Sequence, residues 1–416
     1  MIFDMFSDDF KRDPWDVFRR LRAEAPVAKA NIFGDWAVAK HHDVKAIMRN
    51  PRLYSNKAWK SNTSLVPELA GSVEAETMLS MDPPHHTRLR KIVAPIFVEK
   101  NVNTFEDKIR GIVRELRDDM MKGETCNFVE QFSLPLPMSI ISDLLGVEKH
   151  RSKDFKRWTH YTTNLFPFLS LQGEERAARI EKVKESQKAF TDYMNKLITE
   201  RQTDPKDDLL SMIAQAKVDG ESLSMMEMNV FSKLLLVAGN ETTQNAIGNI
   251  MILFKEQPQV LRQLQDNPHL LDDYRFVDEA LRFRAPVYLG MRTPTKEVEI
   301  RGVTIKPGER IVALTASADH DEEIYKDPQV FNPFRENLDL TMPFGHGVHI
   351  CLGMYLARLE IKIAYQELLE VIDDLVIEDF EYLPAVLVRG PGHLNLRRRR
   401  KSYAAPAQTT EESPPT

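Results

Sequence analysis

The chain has 416 residues, with 56 Lys and Arg against 62 Asp and Glu for a formal charge of −6, so it has no general attraction for nucleic acid or an acidic membrane. With no Gly/Ser-rich or Pro-rich linker and no internal repeat, residues 1–401 read as one domain, long enough to enclose a large cofactor. Only two cysteines occur, Cys126 and Cys351, which excludes a disulfide framework and fits a reducing compartment.

Met1, Ile2 and Phe3 run straight into Asp4, Asp8 and Asp9, leaving no apolar stretch for a signal peptide or membrane anchor, and a soluble cytoplasmic protein is expected. Apolar residues then recur at helical steps in 101–122 (Val102, Phe105, Ile109, Val113, Leu116, Met120) and in 173–201 (Ile180, Val183, Phe190, Met194, Leu197), predicting two amphipathic helices. Ser224-Met225-Met226-Glu227 has the form of a capping box, and no proline follows until Pro258, so a helix of about 50 Å is predicted. Its middle, Leu234-Leu235-Leu236-Val237-Ala238-Gly239, is apolar nearly all round and must lie inside the protein.

Strand signal is sparse. Val298 and Ile300 alternate before Gly302, Ile311-Val312-Ala313-Leu314 follows the Pro307-Gly308 turn, and a weak hairpin is predicted around Arg389 to Leu396. The fold class is therefore mainly α with a small β part. The basic run Arg397 to Lys401 reads as the solvated end of the last strand, and the Ala, Pro, Thr, Ser and Glu tail 402–416 is expected to be disordered.

The most informative stretch is Pro343-Phe344-Gly345-His346-Gly347-Val348-His349-Ile350-Cys351-Leu352-Gly353, which leads into a helical pattern. Its glycines permit a loop that packs closely on a flat partner. Cys351 sits where a helix begins, and the free N–H groups and dipole there favour a thiolate. Zinc would need more Cys or His ligands than His346 and His349 supply, and no partner base marks a cysteine nucleophile. One thiolate without another soft ligand suits haem iron, whose equatorial positions the porphyrin fills. Cys126 reads as a small buried hydrophobe.

The run Phe-Gly-x-Gly-x-His-x-Cys-x-Gly at 344–353 resembles the haem-binding signature of the cytochromes P-450, the haem-thiolate monooxygenases, here of soluble bacterial type. The resemblance implies the family fold, with haem b (iron protoporphyrin IX) held between helices and Cys351 as its metal ligand, Phe344 and Gly353 belonging to the same cofactor loop. Ala238-Gly239-Asn240-Glu241-Thr242-Thr243 resembles the family's oxygen-activation segment. By that likeness Gly239 leaves room over the iron, Thr242 hydrogen bonds the oxygen being activated, and Glu241 relays protons from solvent. Thr242 also follows Ala238 by four, so its hydroxyl is able to donate to that carbonyl and loosen the helix.

Burying the two haem propionates requires cations or donors. In Asp82-Pro83-Pro84-His85-His86-Thr87-Arg88-Leu89-Arg90, His86 and Arg90 share a helix face and resemble the family's propionate clamp, although His85 stands where an acid is more usual. Arg292 and His349 are the other partners by matching position, whereas Arg88 reads as a surface charge. Glu279 and Arg282 resemble a pair that joins a downstream arginine, here Arg335, in a buried structural network.

The resemblance implies insertion of one oxygen atom of O2 into a hydrophobic small molecule, by hydroxylation or epoxidation of a terpene, steroid, fatty acid or polyketide-like compound. The chain has no nucleotide-binding glycine motif and no iron–sulfur cysteine set, so electrons are expected from a ferredoxin and its reductase or a flavodoxin-type donor. The substrate pocket is expected to draw on residues 55–80, on 158–170 with Trp158, Tyr161, Phe166 and Phe168, on Leu235 and Ala238, and on Pro286 to Met291. A peroxide-driven haem-thiolate enzyme and a non-catalytic haem sensor are the alternatives.

Overall fold

The computed structural model describes residues 1–31, 35–57, 68, 77–148, 151–163, 171–383 and 388–399. The architecture is mainly helical with small sheets, as the hydrophobic periodicity predicts. The long helix runs Met225–Glu256, opened by the predicted box: the Glu227 N–H donates to Ser224 Oγ at 3.2 Å, and the Ser224 N–H donates to Glu227 at 2.7 Å. It ends one residue before Gln257-Pro258, where proline forbids continuation. From Thr243 to Phe254 every residue is buried, so this helix forms the spine of the main core.

The helix predicted over 173–201 is Gly173–Thr203. The one predicted over 101–122 is instead broken into Glu99–Val102, a tight turn Asn103–Phe105 and Glu106–Met120. The cause is local competition: the Thr104 hydroxyl donates to the Asn101 carbonyl, and the Asn101 amide donates to the Pro95 carbonyl. The tighter turn also keeps Val102 and Phe105, three apart, both buried.

One sheet runs in the order Ile2–Phe3, Val27–Ala30, Trp36–Val38, Ile311–Ala313, Gly290–Pro294, Tyr54–Ser55. It matters for function because it fixes Arg292 opposite Ile311 and delivers the chain after Ser55 to the same region. Val298–Ile300, where alternation is predicted, is a strand, and its partner is Val303–Ile305 across a turn at Arg301 and Gly302 with positive φ. At the C-terminal end, Pro391–Arg398 is the predicted strand, but its partner is Leu375–Tyr382, with Thr125–Asn127 on its other edge. Arg397 and Arg398 are exposed at the strand's end; Arg400, Lys401 and the tail 402–416 lie outside the described residues. Among the described residues no helix is long and apolar enough to cross a membrane.

Next to the sheet, Lys40 reaches Asp321 at 3.0 Å and Glu323 at 2.7 Å, and the His41 N–H donates to Asp321 at 2.9 Å. Burial alone would raise the Asp321 carboxyl, but the N–H groups of His41 and Glu323 and the Lys40 ammonium hold it below the usual 3.8. A carboxylate lowered on folding contributes stability that is complete above its unfolded value and is lost as pH falls through the folded one. The Asp321→Asn variant is therefore expected to lose stability less steeply than wild type below about pH 4 in an acid titration of unfolding. Parallel curves would contradict this assignment.

Candidate functional site

The loop before the helix Met354–Leu369 is fixed by its own backbone: the Cys351 N–H donates to the Phe344 carbonyl at 2.8 Å, Gly345 to Met342 at 3.0 Å and Ile350 to Gly347 at 3.1 Å. Gly347 has φ +76, and a Cβ there would overlap the Met48 carbonyl, so glycine is required on both counts. The Gly353 N–H faces the Cys351 sulfur. Burial pushes the Cys351 thiol up, while this N–H and the charges of Arg90 and Arg358 pull it back. Arg358, which sequence reasoning missed, is held by Asp278 at 2.7 Å and lies 5.0 Å over the Phe344 ring. Its position seven residues after Cys351, two turns on, was the available signal.

Cys351 combines two properties that rarely coexist. Its surface is accessible, yet enough protein surrounds it for burial to raise the thiol, as expected of a sulfur that faces an interior space. The long helix opens in the same manner. Val237, Ala238, Gly239 and Glu241 keep accessible surface in the middle of the helix, just before its buried stretch Thr243 to Phe254, and a Cβ built on Gly239 or on Gly353 would meet nothing within 4 Å. Thr242 Oγ1 donates to the Ala238 carbonyl at 2.7 Å, the back-bond that the four-residue spacing predicts. Burial raises the Glu241 carboxyl although the side chain remains accessible, again the signature of a group turned to an enclosed space.

A third set of residues gathers around this region with unanswered positive charge. His86, on the helix His85–Val93, and His349, on the turn Gly347–His349, bring their rings to 4.1 Å between centroids. Both nitrogens of His86 and Nε2 of His349 are buried without a hydrogen-bond partner. Burial, with Arg90 and Arg292 nearby, lowers His86 to about 4; burial, with His86, Arg292 and Arg90, lowers His349 to about 3. Arg292 is 3% exposed and lowered to about 10 by burial; its guanidinium donates to the Met291 carbonyl at 2.8 Å. The nearby anion, Asp82, is already occupied by the Ser55 hydroxyl at 2.5 Å and the Asn56 N–H at 2.7 Å. Such a cluster is short of negative charge and acceptors, as a pair of ligand carboxylates would supply. Asn56, whose amide lies 3.5 Å from His349 Nδ1, is a further neighbour that sequence reasoning missed.

Arg88 turns away from this cluster to Glu221 and Glu227, each at 2.7 Å. Glu279, fully buried, holds Arg282 at 2.7 Å and Arg335 at 3.2 Å, the three-member network expected. Among the described residues no group of three His, Cys, Asp or Glu side chains is placed to share a metal ion.

The expected substrate wall needs correction. Residues 58–67, 69–76 and 164–170, with Phe166 and Phe168, lie outside the described residues. Tyr288 is fully buried, packed edge-on against Phe10, Trp15 and Phe18 at 5.5–5.8 Å, and Leu289 and Met291 join the same core. Of that segment Val287 alone is half-buried. The aromatic partners come from the first 18 residues, so no local pattern revealed them. Trp158 is likewise buried, 5.6 Å from the Tyr193 ring. Met78, within the expected 55–80 stretch, lines with Met81, Leu89, Val93, Phe231 and Leu234 an apolar pocket of about 310 Å³ beside the long helix.

The arrangement pairs one enclosed sulfur with a cationic cradle and a small-residue opening in a long helix, which fits haem with its two carboxylates. A family model described as Cytochrome P450 matches residues 37–372. Cytochrome P450 107B1 of Saccharopolyspora erythraea is 33% identical over 409 residues, covering 94% of this chain and 96% of the relative. Among solved structures, the bacillaene polyketide synthase cytochrome P450 PksS of Bacillus subtilis superposes with a TM-score of 0.84 at 28% identity, covering 96% and 100% of the two chains. CYP109E1 of Bacillus megaterium in complex with corticosterone gives 0.83 at 29% identity, covering 94% and 100%.

Proposed function

Since the chain belongs to the cytochrome P450 family, and is therefore an O2-dependent monooxygenase with a haem cofactor, we propose that it hydroxylates or epoxidises a hydrophobic small molecule, taking electrons from a separate ferredoxin and ferredoxin reductase. The observation that carries this reading is the Cys351 thiol, enclosed by protein yet accessible. Polyketide synthesis in the name of one solved relative and corticosterone bound to another support an apolar, polycyclic or polyketide-like substrate. We take residues 1–401 as one monooxygenase domain and the cytoplasm as its compartment, where two unpaired cysteines are at home.

Haem bound through a thiolate supplies dioxygen activation, in which two electrons and two protons are consumed, one oxygen atom enters the substrate and the other leaves as water. The chain's own residues prepare that chemistry. Cys351 would hold the iron through its sulfur, and the Gly353 N–H with the charges of Arg90 and Arg358 would steady its negative form. His86, Arg90, Arg292 and His349 would hold the two carboxylates, which would give the unpartnered His86 and His349 nitrogens their acceptors. Phe344, under Arg358, backs the sulfur loop. Gly239 keeps space for substrate and oxygen.

Protons reach the reaction through the long helix. Burial raises Glu241, so its carboxyl keeps a proton to higher pH than a surface glutamate and is suited to pass one inward. The Thr242 hydroxyl, resting on Ala238, is the adjacent donor. Replacing Glu241 with Gln is expected to lower kcat about 10²-fold with KM little changed; steady-state kinetics with an unaltered kcat would remove Glu241 from the relay.

The functional reading is tested with the reconstituted enzyme, reduced ferredoxin and labelled dioxygen. A product carrying one labelled oxygen, formed when the redox chain is supplied, is expected. Turnover with hydrogen peroxide alone and none with the redox chain would point to the peroxide-driven class, and haem without any product to a sensor.

A further inference from the structure

The long helix carries a charge that neither the fold nor the reaction uses. Lys233 lies among Phe231, Leu234, Leu235 and Leu236 and makes no hydrogen bond or ion pair among the described residues. Burial pushes its ammonium down to about 8, with no carboxylate among the described residues near enough to offset it. Its side chain is half-buried, and an ammonium partly withdrawn from water without a counter-charge is costly.

Geometry says what surrounds it. At about 100° per residue, Lys233, Val237 and Asn240 fall within about 60° on the helix. Val237 is 39% exposed in the middle of the spine, and Asn240 Oδ1 is buried without a partner. Glu241, which also keeps accessible surface, lies about 80° round from Lys233, so the stripe runs beside the opening at Val237 and Glu241. One turn before Lys233, Asn229 donates to the Thr191 carbonyl at 3.1 Å and to Asn195 at 2.9 Å, which sets this part of the helix against Gly173–Thr203. One turn from Thr191 on that neighbour, Gln187 has both amide atoms buried and unpartnered. Lys233, Asn240 and Gln187 thus carry polar groups without partners among the described residues on these two helices.

We propose that Lys233 is a specificity-determining residue whose ammonium receives the carboxylate of an amphipathic carboxylic acid, the substrate class of this site. This rests on the monooxygenase reading above and deepens it. A single ammonium matches one negative charge, whereas a phosphate dianion calls for a fork of several donors. Gly239 to Thr242 lie six to nine residues further along the helix, roughly 9–14 Å at the usual rise, so oxidation falls well down the chain from the carboxyl group.

Calorimetric titration of the haem-loaded enzyme with dodecanoic acid and with dodecan-1-ol tests this directly. Wild type is expected to bind the acid at least about 10-fold more tightly, and K233M to weaken the acid by about 10- to 100-fold while leaving the alcohol almost unchanged, the range of one charge-assisted hydrogen bond. K233R is expected to keep the preference. Equal affinities in wild type, which need no variant to fold, or a preference that survives in K233M would overturn the proposal. Product from labelled dioxygen is scored separately: acid preference without product overturns the monooxygenase reading and leaves the anchor, and product from acid and alcohol bound alike overturns the anchor and leaves that reading.

Discussion

Substituting Cys351 with serine is expected to reduce oxygenated product by more than about 10²-fold, to background, because losses of about 10- to 100-fold follow from removing only the outer partners of a metal ligand. A serine hydroxyl is neutral at working pH, hard, and unable to push electron density onto iron as a thiolate does. The loop itself should survive, since its shape is set by the Cys351 N–H on Phe344 and by Gly347 against Met48 rather than by the sulfur. Cys126 provides the control. It is buried on the strand Thr125–Asn127, paired with Leu396, and Cys126→Ser is expected to leave turnover intact. Retained product in Cys351→Ser, measured beside that control, would remove Cys351 from the chemistry.

The largest effect on stability is expected at Glu279. Its carboxylate is fully buried between Arg282 and Arg335 and also accepts the Asn332 N–H at 2.7 Å. Glu279→Ala leaves two buried guanidinium groups without their anion, and breaking a buried pair from one side costs about 3–5 kcal/mol. Arg282 keeps the carbonyls of Asp319 and Pro328, and Arg335 those of Lys326, Asp327 and Val330, so both charges stay inside rather than escaping to solvent. The urea midpoint of the haem-loaded protein and its soluble yield should both fall sharply. A midpoint within experimental scatter of wild type would mean that the network is dispensable.

What the chain disclosed in advance was local. The Ser224 to Glu227 box, the proline at 258, the Thr242 and Ala238 spacing and the glycines before Cys351 each act over a few residues, and each has its expected structure. Periodicity over 173–201 worked for the same reason. The gathering of Glu279, Arg282 and Arg335 came through the family resemblance, because three charges 56 residues apart carry no local sign of burial.

What stayed hidden depends on distant partners. Tyr288 looked like a pocket residue until the N-terminal aromatics closed around it. The strand Leu375–Tyr382 contains Glu378, Asp379 and Glu381, which mask its alternation; pairing with Pro391–Arg398 makes it a strand. The break at 103–105 comes from side chains competing for backbone carbonyls, which hydrophobic spacing does not register. Lys233 is one cation in an apolar run, but its lack of a partner among the described residues is a fact of three dimensions.

Cys351 as the axial ligand of a haem is tested most directly by the absorption spectrum of the reduced, carbon monoxide-bound protein. The strong red shift of a thiolate adduct is expected in wild type and should vanish in Cys351→Ser. An unshifted band from native protein with Cys351 intact would contradict the assignment, and with it the reading of the site built on that sulfur.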